Sequence, residues 1–405
     1  MIKIAAPSQE RAEELYDLAA KVFGGYFRFL RICREGYFTG SSYDWSVSRV
    51  AEDDGRIIAH VGVWEYRMRV GRARLKAGGV GAVATHTDYR KRGIMAKLFR
   101  ALFPAMRQAG YHFTVLFGIR DFYHRFGYVA AWPNTVHVVD TDTLPHEALK
   151  LKLRKVLREK ALCWDGPIMR MYGRDNATRT GTAERPIYTL TGGLTGDFEC
   201  TALCDSAGRV RGYLATKKSG ADLHVLEAGG FSPPCGAGRL LAAIRLLARR
   251  ARCGKVRLMG FAYDHPLCQA LRAGDCSVEM HHSRSGGAMA AAVSLSGCLR
   301  QMQAELTDRL RRSAMKNFTG PLGISGAGEA VVLDIVGGKV RVAGKQRKAR
   351  NRIIAGPAVA RLLIGSAEPA AVALQSGVRF SGRGAELAEA LFPNQWPMHY
   401  ALDHF

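Results

Sequence analysis

Val83-Ala84-Thr85-His86-Thr87-Asp88-Tyr89-Arg90-Lys91-Arg92-Gly93-Ile94-Met95 runs from a short apolar segment into a basic turn that carries a glycine. A helical pattern follows at once, with Ile94, Leu98, Phe99, Leu102, Phe103 and Met106 recurring on one side. A strand that ends in such a turn and feeds a helix makes an anion cradle. The first amides of a helix have no intrahelical partner and carry the positive end of its dipole, so they grip a phosphate. Gly93 lets the backbone approach that phosphate closely. Arg90, Lys91 and Arg92 add charge around it. A bound pyrophosphate explains this arrangement better than packing alone.

A second segment, Val115-Leu116-Phe117-Gly118-Ile119-Arg120-Asp121-Phe122-Tyr123-His124-Arg125-Phe126-Gly127-Tyr128, begins as a strand, passes a glycine, makes a short helix and stops at Gly127. Together the two segments resemble the GNAT superfamily of acyl-CoA-dependent N-acyltransferases. Arg90-x-x-Gly93-x-Met95 fits the cofactor motif of that superfamily, Arg/Gln-x-x-Gly-x-Gly/Ala, at all but its last position. Phe122-Tyr123-x-x-Phe126-Gly127 is similar to the later motif that carries the general-acid tyrosine. The spacing leaves room for a helix, a strand and a helix.

The 405 residues exceed one ordinary domain and imply two or three, and a 47% hydrophobic composition supplies their cores. A net charge of +24 raises nucleic acid or a membrane surface as partners. The basic residues are scattered, however, with modest runs at Lys150–Lys160 and Lys345–Arg352. The first reads as a basic amphipathic helix. No zinc-finger spacing or RNA-recognition signature accompanies them, so they read as solvated faces and no nucleic-acid partner is expected. The nine cysteines are odd in number and irregular in spacing, and Cys200 and Cys204 lack the partners of a zinc site. Cys253, Cys268 and Cys276 read as buried thiols. A reducing compartment, a cytoplasmic location and no metal are expected. The amino terminus does not read as a signal peptide, and no apolar run is long enough to span a bilayer.

The expected fold class is α/β (α+β), with two GNAT-like mixed-sheet domains in tandem and a third α/β domain. The first, residues 1–140, holds a helix over Glu10–Phe23, strands over Arg56–Arg69 and Arg72–Thr85, the cofactor helix, a strand over Tyr111–Phe117 and the tyrosine helix. The second, residues 141–292, opens with a helix over Leu144–Leu162 and a loop over Gly173–Arg185. It then repeats the order strand, strand, helix, strand, helix over Arg209–Thr216, Leu223–Glu227, Gly236–Arg252, Lys255–Phe261 and His265–Ala273. Its turn, Ser232–Gly238, lacks the basic cradle, so this copy reads as degenerate. Residues 293–405 alternate short strands with apolar helices and resemble a sterol carrier protein-like domain.

That three-part order resembles the enhanced intracellular survival family of N-acetyltransferases. The resemblance implies acetyl-CoA as donor, primary amines as acceptors (aminoglycosides, polyamines or lysine-like groups) and a hexamer built from trimers. It places Val83, Ala84 and Thr85 on the pantetheine arm, and Arg90, Lys91, Arg92, Gly93 and Ile94 on the pyrophosphate. Gly118 and Ile119 line the far side of the slot; some relatives carry a hydroxyl at the Gly118 position. Met95 replaces a small residue and is expected to pack beneath the helix. Tyr123 is the implied general acid. The carboxylate of Phe405 is the implied base, since members of the family end in an aromatic residue. Asp403 is expected to attract a cationic acceptor. Asp44, Trp45 and Glu35 stand in the acceptor-loop region, with Tyr43 and Phe38 as aromatic walls. His86 is an alternative base, His124 a surface residue, Tyr128 a core residue and His281-His282 a strand surface. A scaffold that has lost catalysis and binds a lipid or a partner is the competing reading, against which an intact Tyr123 and the basic cradle argue.

Overall fold

In a computed structural model of the protein, the described residues are 1–24, 37–157, 166–185, 198–283, 285–344 and 348–404. They fall into two compact units, Met1–Trp132 with Arg284–Gln395, and Pro133–Ser283 with Trp396–His404.

The first unit opens with β1 (Lys3–Ala5), α1 (Ala12–Phe23), β2 (Arg49–Asp53), β3 (Arg56–Val70), β4 (Ala73–Thr85), α2 (Ile94–Gln108), β5 (Phe113–Gly118), α3 (Arg120–Tyr123) and β6 (Val129–Ala130). Valine, isoleucine and aromatic residues fill β3, and Gly71, at φ +54°, turns the chain into β4. β1 to β4 are antiparallel neighbours. β4 and β5 are parallel, which requires the crossover that α2 supplies. α2 buries Ile94, Leu98, Phe99, Leu102 and Met106 in the core beside this sheet. Each such side chain contributes about 1.5–3 kcal/mol of burial. Gly287–Ala292 then pairs antiparallel with β5, and β6 pairs with it in turn.

One feature of this sheet positions the site. β4 pairs with β5 only over Ala77–Val80 and Phe113–Leu116, yet it stays paired with β3 as far as Thr85. The carboxyl ends of β4 and β5 therefore part company.

The first unit also holds the helix Leu295–Arg311 and a five-stranded sheet. In that sheet Gly320–Gly326 and Asn351–Gly356 are parallel and the other pairs antiparallel. Glu305 and Arg309 form a buried ion pair at 2.7 Å within the helix, and Glu305 accepts the Arg72 backbone N–H at 2.9 Å.

The second unit is built on a seven-stranded sheet. Its elements Val210–Ser219, Asp222–Gly229, Gly236–Arg250, Lys255–Met259 and Pro266–Arg272 follow the repeated order expected from sequence. Asp222–Gly229 is parallel to Lys255–Met259, and again only four pairs are made, from Asp222–Lys255 to Val225–Leu258. Asn134–Asp140 is a central strand of this sheet, between Lys255–Met259 and Ser277–His281.

The loop expected over Gly173–Arg185 begins inside the helix Pro167–Asp175 and carries the short strand Ala183–Glu184, and a second expectation is overturned as well. The described part of the helix expected over Leu144–Leu162 is not helical: Lys152–Val156 is a strand, paired with Glu199–Cys204 at the edge of the second sheet. Leu149, Leu151 and Leu153 alternate with Lys150, Lys152 and Arg154, which is a strand period. Charged residues on an edge strand discourage pairing with other chains. Residues 158–162 of that expectation lie outside the described residues. Among the described residues no helix is long and apolar enough to cross a membrane.

Candidate active site

Where β4 and β5 separate, a cleft of about 670 Å³ opens in the first unit. Its walls come from the end of β4, the turn into α2, the C-terminal end of α1 and the segment after β5. Of the expected cofactor residues, Val83, Thr85, Arg90, Lys91, Gly93, Ile94 and Ile119 line it. Ala84 alternates to the other side and is buried. The Arg92 guanidinium stacks on Tyr89, 5.0 Å from the ring centre. Met95 both lines the cleft and packs on the core.

The turn is shaped by its backbone. Gly93 sits in the left-handed region at φ +71° and Lys91 at φ +61°. A Cβ at Gly93 would meet nothing within 4 Å, so glycine serves here for its φ rather than to relieve a protein contact. α2 begins at Ile94 without a side-chain cap, so its first-turn amides remain available to an anion. The Arg90 side chain donates to the Thr85 carbonyl at 3.3 Å, tying the cradle to the end of β4.

Tyr123 stands on the facing wall and is 8% exposed. Burial pushes its phenol up to about 12, so the hydroxyl remains a donor throughout the neutral range. Phe122 lies edge-on at 4.9 Å and Phe99 at 6.0 Å. Gly118 does not line the cleft; it lets the ring lie against β5, because a Cβ there would fall 2.3 Å from the Tyr123 Cε2. Tyr128 is fully buried and its hydroxyl lies 3.0 Å from the Thr114 Oγ1.

The expected acceptor residues do not join this cleft. Asp44 caps a turn: its Oδ1 accepts the N–H groups of Ser46 and Val47, and its Oδ2 accepts the Tyr111 hydroxyl at 2.7 Å. Trp45 lies edge-on to Tyr43 at 4.6 Å. Phe38 and Tyr43 are buried in an aromatic cluster with Trp64. His86 sits just past β4, with its Nδ1 3.6 Å from an Asp88 carboxylate oxygen. Asp403 belongs to the second unit, where it is fully buried against Arg185 at 2.7 Å. Glu35 and Phe405 lie outside the described residues.

Sequence reading missed several walls: Val22 and Phe23 from α1, Tyr89 from the cradle turn, and Phe122, Arg125 and Phe126 from the tyrosine segment. Arg125 lies 5.0 Å above the Phe122 ring, so cations stand on both walls. Its signal was its place two residues after Tyr123, inside a motif read only for the tyrosine.

Residues 3–131 match the acetyltransferase (GNAT) domain family. No curated protein matches the chain. Among solved structures, a GCN5-related N-acetyltransferase from Anabaena variabilis superposes with a TM-score of 0.76 at 16% identity, covering 100% of both chains. A probable N-acyltransferase of unknown function from Enterococcus faecalis gives 0.75 at 15%, again over 100% of both. Eis1 from Mycobacterium abscessus gives 0.70 at 16%, with the same full coverage. At these identities the shared property is the fold, which spans the whole chain. The chain thus carries over residues 3–131 a GNAT domain, the domain of an N-acetyltransferase enzyme.

Proposed function

We propose that the protein is an acetyl-CoA-dependent N-acetyltransferase of primary amines, with Tyr123 as general acid and the Phe405 carboxylate as base. The observation that carries this reading is that the uncapped, cation-bearing start of α2 and the Tyr123 phenol line one cleft where β4 and β5 separate. The residues suit the donor. Gly93, Ile94, Arg90 and Lys91 would hold the pyrophosphate, Val83 and Thr85 the pantetheine arm, and Ile119 the opposite side. Bound acetyl-CoA supplies an activated acyl thioester.

The amine nitrogen attacks the thioester carbon, a C–N bond forms and the C–S bond breaks. An alkylammonium has a pKa near about 10, so the attacking nitrogen must first lose a proton, which the Phe405 carboxylate receives. A free α-carboxyl, at about 3.5, is a weak base, and apolar surroundings would raise it. The same negative charge draws a cationic acceptor toward a protein that is otherwise basic. The departing thiolate takes its proton from Tyr123. Aminoglycoside-, polyamine- and lysine-like amines are the acceptor classes in this reading. A carrier-like third part over 293–405 and a hexameric assembly belong to it as well; light scattering tests the assembly.

Thiol release from acetyl-CoA, measured with an unmodified Phe405 across polyamines, aminoglycosides, lysine peptides and arylamines, tests the proposal. Release that depends on one amine class supports it. CoA binding without release for any class supports the non-catalytic scaffold instead. Tyr123→Phe is expected to lower turnover about 10²–10⁴-fold at unchanged CoA affinity. Residues appended after Phe405 are expected to abolish turnover while CoA still binds; full activity in that protein would remove the terminus from the mechanism.

A further inference from the structure

Behind the end of β4 sits a buried histidine that the cofactor cleft does not touch. His60, on β3, is 2% exposed. Its Nδ1 lies 2.9 Å from the Ala82 carbonyl oxygen, and its Nε2 lies 2.7 Å from the Tyr43 hydroxyl. A carbonyl only accepts, so Nδ1 carries the proton. Burial lowers the imidazole to about 4, so the ring is neutral and Nε2 is an acceptor. The Tyr43 O–H therefore donates to it. Both ring nitrogens are engaged, and the ring is no acceptor for a substrate proton.

The carbonyl it holds is an unusual one. Opposite His60 the β3–β4 register shifts, with His60 facing Ala84 and Gly62 facing Gly81, so β4 carries an extra residue. Within that bulge Ala82 adopts φ +46°, a left-handed conformation that a residue with a side chain resists. Nearby packing leaves the ring little freedom. A Cβ at Gly62 would fall 2.9 Å from the His60 Cε1, and Phe38 stands edge-on at 5.7 Å. The bulge lies just beyond Val80, the last β4 residue paired with β5, and just before Val83, which lines the cleft.

We infer that His60 is a positioning residue: by holding the Ala82 carbonyl it fixes the β4 bulge so that the Val83 N–H is presented to the thioester carbonyl of bound acetyl-CoA. A trans peptide carries its C=O and N–H on opposite sides. The Ala82 carbonyl turned to the imidazole thus aims the Val83 N–H away from it. A donor preorganised at that point stabilises the oxyanion that forms when the amine attacks. Tyr43 is the second link, because its O–H selects the tautomer that holds Ala82. The inference rests on the cofactor reading of the cleft and assigns a role to residues outside it.

The test is the infrared carbonyl stretch of ¹³C-labelled acetyl-CoA bound to the protein without an amine. In the unaltered protein the stretch moves below its value in free acetyl-CoA. His60→Leu returns it to the free value and lowers kcat at least tenfold, while calorimetric CoA affinity stays within twofold. His60→Asn, whose amide still donates to Ala82, restores the shift. Should His60→Leu fail to fold, Tyr43→Phe tests the same chain and gives a partial loss of the shift. A His60→Leu protein that keeps the full shift would overturn the assignment. So would a parallel collapse of CoA affinity, which marks a merely structural role. Bound acetyl-CoA with an unshifted carbonyl in the unaltered protein overturns the His60 role alone; failure to bind acetyl-CoA overturns the cofactor reading with it.

Discussion

Gly118→Ala places one methyl group against the proposed acid. The added Cβ falls 2.3 Å from Cε2 and 2.7 Å from Cδ2 of Tyr123, and 2.7 Å from Cδ1 of Leu116. Carbon atoms rest at about 3.5–4.0 Å, so the ring must retreat by about 1.2 Å or more. It has little room, since Phe122 stands 4.9 Å away, Phe99 6.0 Å and Tyr128 6.1 Å. Overpacking of this kind costs about 1–3 kcal/mol. A displacement of about 1 Å at a reacting group costs about 10²-fold in rate. The cradle at Arg90–Ile94 belongs to the other wall and keeps its backbone. The expected outcome is a kcat lowered about a hundredfold, a modest loss in urea stability, and unchanged CoA affinity by calorimetry. Gly173→Ala is the control. Gly173 lies within the helix Pro167–Asp175 and its Cβ would meet nothing, so turnover should hold and stability should rise slightly. A Gly118→Ala enzyme with unaltered kcat and stability would refute the packing of Tyr123 against β5 as a requirement for catalysis.

Three further outcomes follow from the geometry. Arg185 is buried between Glu227 and Asp403 at 2.5 and 2.7 Å, so Arg185→Leu strands two buried carboxylates and should cost about 3–5 kcal/mol in urea denaturation; a loss below about 1 kcal/mol refutes the role of this network. Arg125→Ala removes a cation from the cleft wall and should weaken CoA about tenfold at low salt, with a smaller effect at high salt; equal affinity at both refutes a phosphate contact. His60, lowered to about 4 in the folded chain against about 6.5 unfolded, makes the unfolded state bind the extra proton between those values. Its contribution is present above about 6.5 and is lost as pH falls toward about 4, by about 3 kcal/mol in all. His60→Asn should flatten that part of a stability titration, and identical slopes in both proteins would refute the buried neutral ring.

What was legible in the sequence was whatever acts locally. β4, the basic turn and α2 are contiguous, so the period of Ile94, Leu98, Leu102 and Met106 and the place of Gly93 could be read without knowing the fold. The second copy was legible in the same way, because its strands and helices recur in order. Asp44 illustrates the opposite case. The family resemblance placed it in the acceptor-loop region; in the fold Ser46 and Val47 donate to one oxygen from two and three residues away, and Tyr111 reaches the other across 67 positions. Local turn chemistry and a distant hydroxyl are contacts that a family pattern does not carry. Lys152–Val156 was missed for another reason: the charges were weighed as a helical face, while Leu149, Leu151 and Leu153 carried the strand period.

Comparison of the two copies shows what separates a site from a scaffold. Both sheets part after four parallel pairs, at Val80–Leu116 and at Val225–Leu258. In the first copy the residues past that point lead to Arg90, Lys91 and Gly93, and the space between the strands is a cleft. In the second, Glu227 follows the divergence and is buried: it pairs with Arg185 and accepts the Tyr213 hydroxyl at 2.7 Å, while Arg185 turns also to Asp403. A phosphate brought there would meet Glu227 and Asp403 with Arg185 already paired to both, and the turn Ser232–Gly238 supplies none of the compensating basic residues before Arg239. The same strand divergence thus opens a cleft lined by cations in one unit and holds a buried ion network in the other. The choice is made by the charge that follows the strand rather than by the strand itself.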